Sequence, residues 1–429
     1  MSLLNWFLGL LSGKRPTPPA AQRAAATSTT APAEPPLFVG WQEMIDRQGR
    51  IGGYLLKPQS PAGQPAPSGR RLLAALERER LDRLGASRPL IVPVSAEQWR
   101  DADFRQLASP AVHFLLTTQS PPDITVAALH SAGHRVALPA AAFPDEAAAP
   151  AMLVVDFQHA ALADLETRIR ALRERHPALR LVADGVASWS EHRLCLAMGF
   201  SFSIGPFTTT PDDAETGDPL SGSRLVALEM LKQLRADAPA AAIAETAKRD
   251  PAIVVKLLRM SSSPLYGVGR PVTRLDEAIA LLGRDAMYRW LAVALFKLGS
   301  ESGRDQTLLV VALARAVFLE SLAPPGDAAK RDELFLLGLL SVLDSLLAQP
   351  MARIVGQMAL PPEVAAALLG NDGPLARYLL LAVAMERCRL DQAVIAASVI
   401  GIDSGRLIAC YSRAMELATA ELADSGTPG

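Results

Sequence analysis

Asp156 closes the apolar run AMLVVDF and Asp184 closes the strand-like part of LRLVADGVA. Carboxylates at the ends of consecutive parallel strands can converge on a divalent cation. Metal-assisted hydrolysis asks for more than one such pair, because the cation needs a multi-ligand shell and the attacking water must be oriented. The plainer role for Asp156 is hydrogen bonding to its own loop. Other ligand types are scattered. All six histidines (His113, His130, His134, His159, His176 and His192) lie in the N-terminal half. Cys195, Cys388 and Cys410 lie far apart with no C-x-x-C spacing, which argues against a zinc site and a disulfide framework and fits a reducing, cytoplasmic compartment. No residue is assigned a catalytic, cofactor-binding or metal-ligating role, and no cofactor is expected.

The elements that would carry these residues fall into three parts. Residues 1–36 read as a flexible N-terminal tail and linker. The apolar run from Leu3 to Leu11 is too short to span a bilayer and has no cationic region before it; it is compatible with weak membrane-surface contact. The Pro/Ala/Thr/Ser stretch from Pro16 to Pro36 cannot bury enough apolar surface to offset its ordering entropy. Residues 37–216 alternate short apolar runs (PLIVPVS, VHFLLTT, HRVALP, AMLVVDF, LRLVADGVA, GFSFSIGPF) with helix-like stretches, a pattern of β/α units around a parallel sheet. Leu162, Leu165, Ile169 and Leu172 mark one such helix.

Residues 217–429 read as all helix. Helices are predicted over Arg224–Arg235, Ala240–Arg249, Ile253–Met260, Leu275–Leu282, Asp285–Lys297, Thr307–Leu322 and Lys330–Ala348, with about three more to Leu422. Asp250-Pro251 and Arg270-Pro271 mark helix boundaries. Leu308 to Leu322 is interrupted by Arg315 and Glu320 and reads as a buried core helix. Asp250 is placed to cap the helix opened by Pro251. Ser261, Ser262 and Ser263 can bond nearby backbone, and Gly283 supplies a left-handed helix end. The 43 basic and 44 acidic residues give a formal net charge of -1, so nothing draws the chain to nucleic acid. Arg70, Arg71, Arg78, Arg80 and Arg83 alternate with acids on a solvated helix.

Leu228 to Leu291, with its Asp-Pro break, its Leu-Leu-Arg run before a small polar cluster and its Ala-Ile to Leu-Leu-Gly helix end, resembles an HDOD domain. Such domains are similar to HD-type metal hydrolases, whose His-Asp pair holds a divalent ion. In LFLLGLLSVLDSLL that pair is matched by Ser341 and Val342, and no histidine follows His192. Asp344, the one acid in that stretch, is expected at solvent, an interface or a helix N-terminus.

FVGWQEMIDRQGRIGGYLLKP, Phe38 to Pro58, resembles the first strand and turn of an EAL phosphodiesterase barrel as found fused to HDOD domains. The resemblance implies hydrolysis of cyclic di-GMP by metal-bound water, and it also locates the positions that would do it. The first Glu falls on Leu55, the Asn on Pro93, the next Glu on Leu115 and the Asp pair on Pro139-Ala140. The Lys falls on Val154, one Glu survives as Asp184, the other is Ala187, and the Gln before Gly205 is Ile204. The block is also short for a full barrel of about 250 residues. The expected architecture is therefore a multi-domain α/β plus all-α chain: an incomplete or eroded TIM-like, EAL-like barrel followed by an HDOD domain. The expected function is a non-catalytic bacterial signalling scaffold that binds protein partners. The alternatives are an effector that binds cyclic di-GMP without cleaving it and, behind that, a residual phosphodiesterase.

Overall fold

The computed structural model describes residues 37–60, 66–79, 88–107, 110–117, 126–131, 133–142, 150–212, 214, 221–261, 272, 274–298, 302–358, 360–371 and 373–424. The N-terminal tail and linker, Arg80, Arg83, Ser262, Ser263, the Arg270-Pro271 break and the boundary at 216/217 lie outside these residues.

Eight strands close a barrel in chain order. β1 (Phe38–Ile45) and β2 (Ile51–Gln59) form an antiparallel hairpin. β2 then runs parallel to β3 (Leu90–Val94), followed by β4 (Val112–Leu116), β5 (Arg135–Pro139), β6 (Met152–Asp156), β7 (Arg180–Asp184) and β8 (Phe202–Ile204). The ring shuts where Ile45 of β1 pairs antiparallel with Ser203 of β8. The expectation of an incomplete barrel is corrected: the ring is closed, and the economy lies in the connections. A hairpin replaces one helical crossover. Helices α1 (Gly69–Arg78), α2 (Ala96–Asp101), α3 (Val126–Ser131), α4 (Leu162–Arg175) and α5 (Trp189–Ala197) serve others, with α2 and α3 only 6 residues each. Between β5 and β6 the described element is the 3-10 turn Ala140–Ala142.

The period of two along each strand sorts its residues into two cores. Met44, Leu55, Ile91, Leu115, Ala137, Met152, Val182, Phe202 and Ile204 pack together inside the ring. Their neighbours Leu56, Val92, Phe114, Val136, Leu153 and Leu181 join the outer core beneath the helices. Toward the N-terminal ends of the strands, the His113 ring takes up the polar load. It contacts the Ala111 carbonyl through Nδ1 at 2.8 Å and Arg180 through Nε2 at 3.1 Å. Burial lowers its pKa to about 4, so the ring is neutral at pH 7, donates to the carbonyl and accepts from the guanidinium.

The remainder is helical: α6 (Gly222–Arg235), α7 (Ala240–Ala247), α8 (Pro251–Ser261), α9 (Leu275–Leu282), α10 (Arg284–Lys297), α11 (Gly303–Ser321), α12 (Ala328–Leu340), α13 (Leu343–Leu347), α14 (Met351–Met358), α15 (Pro362–Leu368), α16 (Ala376–Glu386), α17 (Leu390–Val399) and α18 (Ser404–Asp424). Asp250 caps α8 as expected, accepting from the Ala252 and Ile253 amides at 2.8 and 3.3 Å. Ser261 donates to the Leu258 carbonyl at 3.0 Å. Gly283 has the positive φ expected of it, 77°, but its ψ of 157° leaves the left-handed helical region for extended backbone open to glycine. α11 is the buried helix expected around Leu308 to Leu322. Two expectations need correction. The helix read over Lys330–Ala348 is broken at Ser341 and Val342 into α12 and α13, because an unbroken apolar run carries no internal stop signal. Past Ala348 the structure has α14 to α18, more than the three or so expected.

α11 and α12 pack backbone to backbone at Gly338, where an added Cβ would lie 2.6 Å from Ala316 N and Cα. Helix and barrel meet around the β1–β2 hairpin. Thr307 donates to the Gly49 carbonyl in the hairpin turn at 2.8 Å. Gln59 donates to the Cys388 carbonyl at 2.6 Å and accepts from the Leu390 amide at 3.3 Å. Phe38 meets Tyr411 of α18 with ring centroids 5.5 Å apart. Among the described residues no single helix is long and apolar enough to cross a membrane.

Gly338→Ala is expected to push α11 and α12 apart at a cost of about 1–3 kcal/mol, the usual range for overpacking a tight core. A urea titration would read this as a lower midpoint with an unchanged m-value.

Candidate functional site

Leu55, Pro93, Leu115, Pro139, Val154, Asp184 and Ile204, where the resemblance expects chemistry, fall one per strand on β2 to β8. The register places them all on the inward-facing rows. Pro93 pairs with Leu115, Pro139 with Val154, and Asp184 with Ile204; Leu55, Leu115 and Ile204 belong to the interior cluster and Val154 packs against it. Ala140 instead joins the outer core, and the Ala187 amide donates to Glu191 at 2.7 Å.

Asp156 and Asp184 are register partners at the ends of β6 and β7. The Asp156 carboxylate, 67% exposed, meets the His159 ring at 2.8 Å and its backbone amide at 3.3 Å. Those hydrogen bonds hold its pKa below the usual carboxylate range, and they are the loop role expected of it. Among the described residues no group of three or more His, Cys, Asp or Glu side chains could hold a metal ion. Two acids, one of them engaged by His159, with leucine, proline, valine and isoleucine at the other matched strand positions, do not fit the multi-ligand shell of a hydrolytic cation.

In the helical part, Ser341 ends α12, accepting from Arg315 at 2.6 Å and donating to the Gly338 carbonyl at 2.7 Å. Val342 is buried. Asp344 sits in the first turn of α13, where it accepts from the Ser345 amide at 2.8 Å; burial raises its pKa. Of the settings expected for it, the helix N-terminus is the one observed.

Ser341 also lines a cavity of about 370 Å³ between the barrel and the helices. Its lining includes Gln42 and Glu43 of β1, Arg315 of α11 and Glu386 of α16. Arg315 and Glu386 form a two-pronged pair, Nε to Oε1 at 2.8 Å and Nη2 to Oε2 at 2.6 Å. Burial opposes the charge on Arg315, but the Glu386 carboxylate outweighs it and raises the pKa. Glu43 has no such partner. Burial, reinforced by the neighbouring Glu386 charge and only partly offset by backbone hydrogen bonding and Arg315, pushes its pKa up to about 7. Sequence reasoning registered Arg315 only as an interruption of an apolar helix. A charge inside such a run was the one available sign of a buried ion pair; nothing in the sequence placed Glu43 or Glu386 beside it.

Residues 225–354 match the HDOD domain family model. The chain is 26% identical over 243 residues to the uncharacterized protein YuxH of Bacillus subtilis (strain 168), covering 56% of this chain and 58% of that protein. It is 26% identical over 210 residues to the cyclic di-GMP phosphodiesterase CdgJ of Vibrio cholerae serotype O1, covering 48% of each. The matches thus span about half the length of these curated relatives. Among solved structures, the Klebsiella pneumoniae BlrP1 manganese/cy-diGMP complex aligns with a TM-score of 0.32 at 15% identity, over 41% of this chain and 56% of that one. An HDOD domain preceded by a closed barrel is the two-part architecture that the sequence resemblance implies.

Glu386→Ala would strand the Arg315 charge in the junction and is expected to cost about 3–5 kcal/mol, while Arg315→Met with Glu386→Leu should cost much less; urea unfolding of the three proteins measures both. Glu43 takes up its proton at about pH 7 in the folded state against 4.5 ordinarily. The folded state therefore holds the extra proton between those values. The stability this confers is complete below the lower one and lost as pH rises through the upper one. Glu43→Gln should accordingly raise unfolding stability by roughly 1–3 kcal/mol at alkaline pH and change it little in mild acid, read by urea melts on either side of the window.

Proposed function

We propose that this protein is a non-catalytic scaffold in bacterial signal transduction, related to cyclic di-GMP turnover by descent and acting in the cytoplasm through protein contacts of its HDOD domain and degenerate EAL-like barrel. The observation that carries the reading is the inward row of strands β2 to β8, where leucine, proline, valine and isoleucine occupy all but one of the positions matched to polar catalytic groups. Those side chains have no lone pairs with which to ligate a cation or orient water. A closed, well-packed barrel that lacks such groups is what a binding module retains. Exposed apolar residues available for contact are Leu380 of α16, 66% exposed, and, one helical turn apart on α17, Ile395 and Val399, 66% and 57% exposed. The relationship to the cyclic di-GMP phosphodiesterase CdgJ supplies the signalling context.

Calorimetric titration of the full chain with cyclic di-GMP, with and without magnesium or manganese, followed by analysis of the recovered nucleotide, tests this directly. The expected result is no saturable heat and intact nucleotide. Saturable heat without cleavage would make the protein a nucleotide-binding effector, and metal-dependent cleavage would make it an enzyme.

A further inference from the structure

We propose that the cavity between barrel and helices is a binding site for a small organic anion with an apolar body. This goes beyond the scaffold reading and does not depend on it. The volume of about 370 Å³ lies within the range of roughly 300–1,000 Å³ typical of ligand pockets. Pro206, Val311, Leu379 and Val383 give the wall its apolar stretch. On the barrel side the lining includes Gln42 and Glu43 of β1. At the rim stand Arg387 and Arg389, both exposed, with no ion pair or side-chain hydrogen bond to another described residue.

Charge decides the class of ligand. Arg315 and Glu386 neutralise each other through their two-pronged pair, which leaves one carboxyl, Glu43, against two guanidiniums, Arg387 and Arg389. The two rim guanidiniums therefore set the sign, and guanidinium pairs well with carboxylate, sulfonate or phosphate. A cation would face them both, and a hydrocarbon would leave them without a counter-charge. Because Gln42 lies on β1 and Val311 and Leu379 on α11 and α16, an occupant would touch both halves of the chain and stabilise their junction.

8-Anilinonaphthalene-1-sulfonate combines an aromatic body, an N–H and a sulfonate, and serves as the probe in a fluorescence titration of the full chain. Saturable binding with a raised Tm is expected. Arg387→Glu with Arg389→Glu, both exposed and outside the core, should weaken it about tenfold or more by reversing the rim charge. Val383→Trp, which adds bulk to the apolar wall, should abolish it, and Leu380→Glu with Ile395→Glu should leave it unchanged. Absence of saturable binding overturns the proposal. So does wild-type affinity in the Arg387/Arg389 variant, or loss of the signal in the Leu380/Ile395 variant, which would place the dye on the exposed face of α16 and α17.

Discussion

A parallel barrel has to close on itself, because an open sheet would leave a row of unpaired backbone groups on each edge. Here closure depends on one antiparallel hairpin. β1 reaches β8 through the Ile45–Ser203 step, and the same hairpin is held from outside by α11, by the α16–α17 connection and by α18, through Thr307, Cys388, Leu390 and Tyr411. The strand that seals the ring is therefore also the strand on which the helical half is seated. Gly40 of β1 lies against the Cys388 side chain and has no room for a Cβ, a close approach that only glycine allows.

That shared seat explains where the polar chemistry of the chain has gone. The ring interior is apolar from Met44 to Ile204, apart from polar groups at Gln42, at His113 and Arg180, and at Asp156 and Asp184. The buried charges lie instead in and around the helices: Arg224 with Asp305 at 2.5 Å, Arg289 with Glu320 at 3.3 Å, and Arg315 with Glu386 at 2.6 Å. Buried pairs of this kind add little net stability against apolar replacements, but each is costly to break singly. They therefore hold the helices to one arrangement more firmly than they strengthen it.

Short apolar runs alternating with helix-like stretches marked the strands of the barrel, and the strand-end positions matched through the EAL resemblance proved to be inward-facing, because a side chain's face in a strand follows from its parity alone. Helix caps were equally legible: Asp250 and Ser261 bond the backbone next to them, and such contacts are local by nature. Ring closure was not legible from length, since a hairpin and two six-residue helices shorten the chain that a barrel requires. The break at Ser341 and Val342 was hidden because apolar residues dominate from Leu334 to Leu347, on both sides of it, and so no phase change marks it.

The sequence by itself determined the two-part architecture, the apolar character of the barrel interior and the placement of Asp156 and Asp184 at neighbouring strand ends, all consequences of local pattern and order along the chain. Only the tertiary structure decided that Glu43, Arg315, Ser341 and Glu386 line one cavity. These residues come from β1, α11, the end of α12 and α16, hundreds of positions apart at the extremes. Their shared electrostatics, including a Glu43 carboxyl lifted to about pH 7, arise from burial against one another, a property that no local spacing encodes.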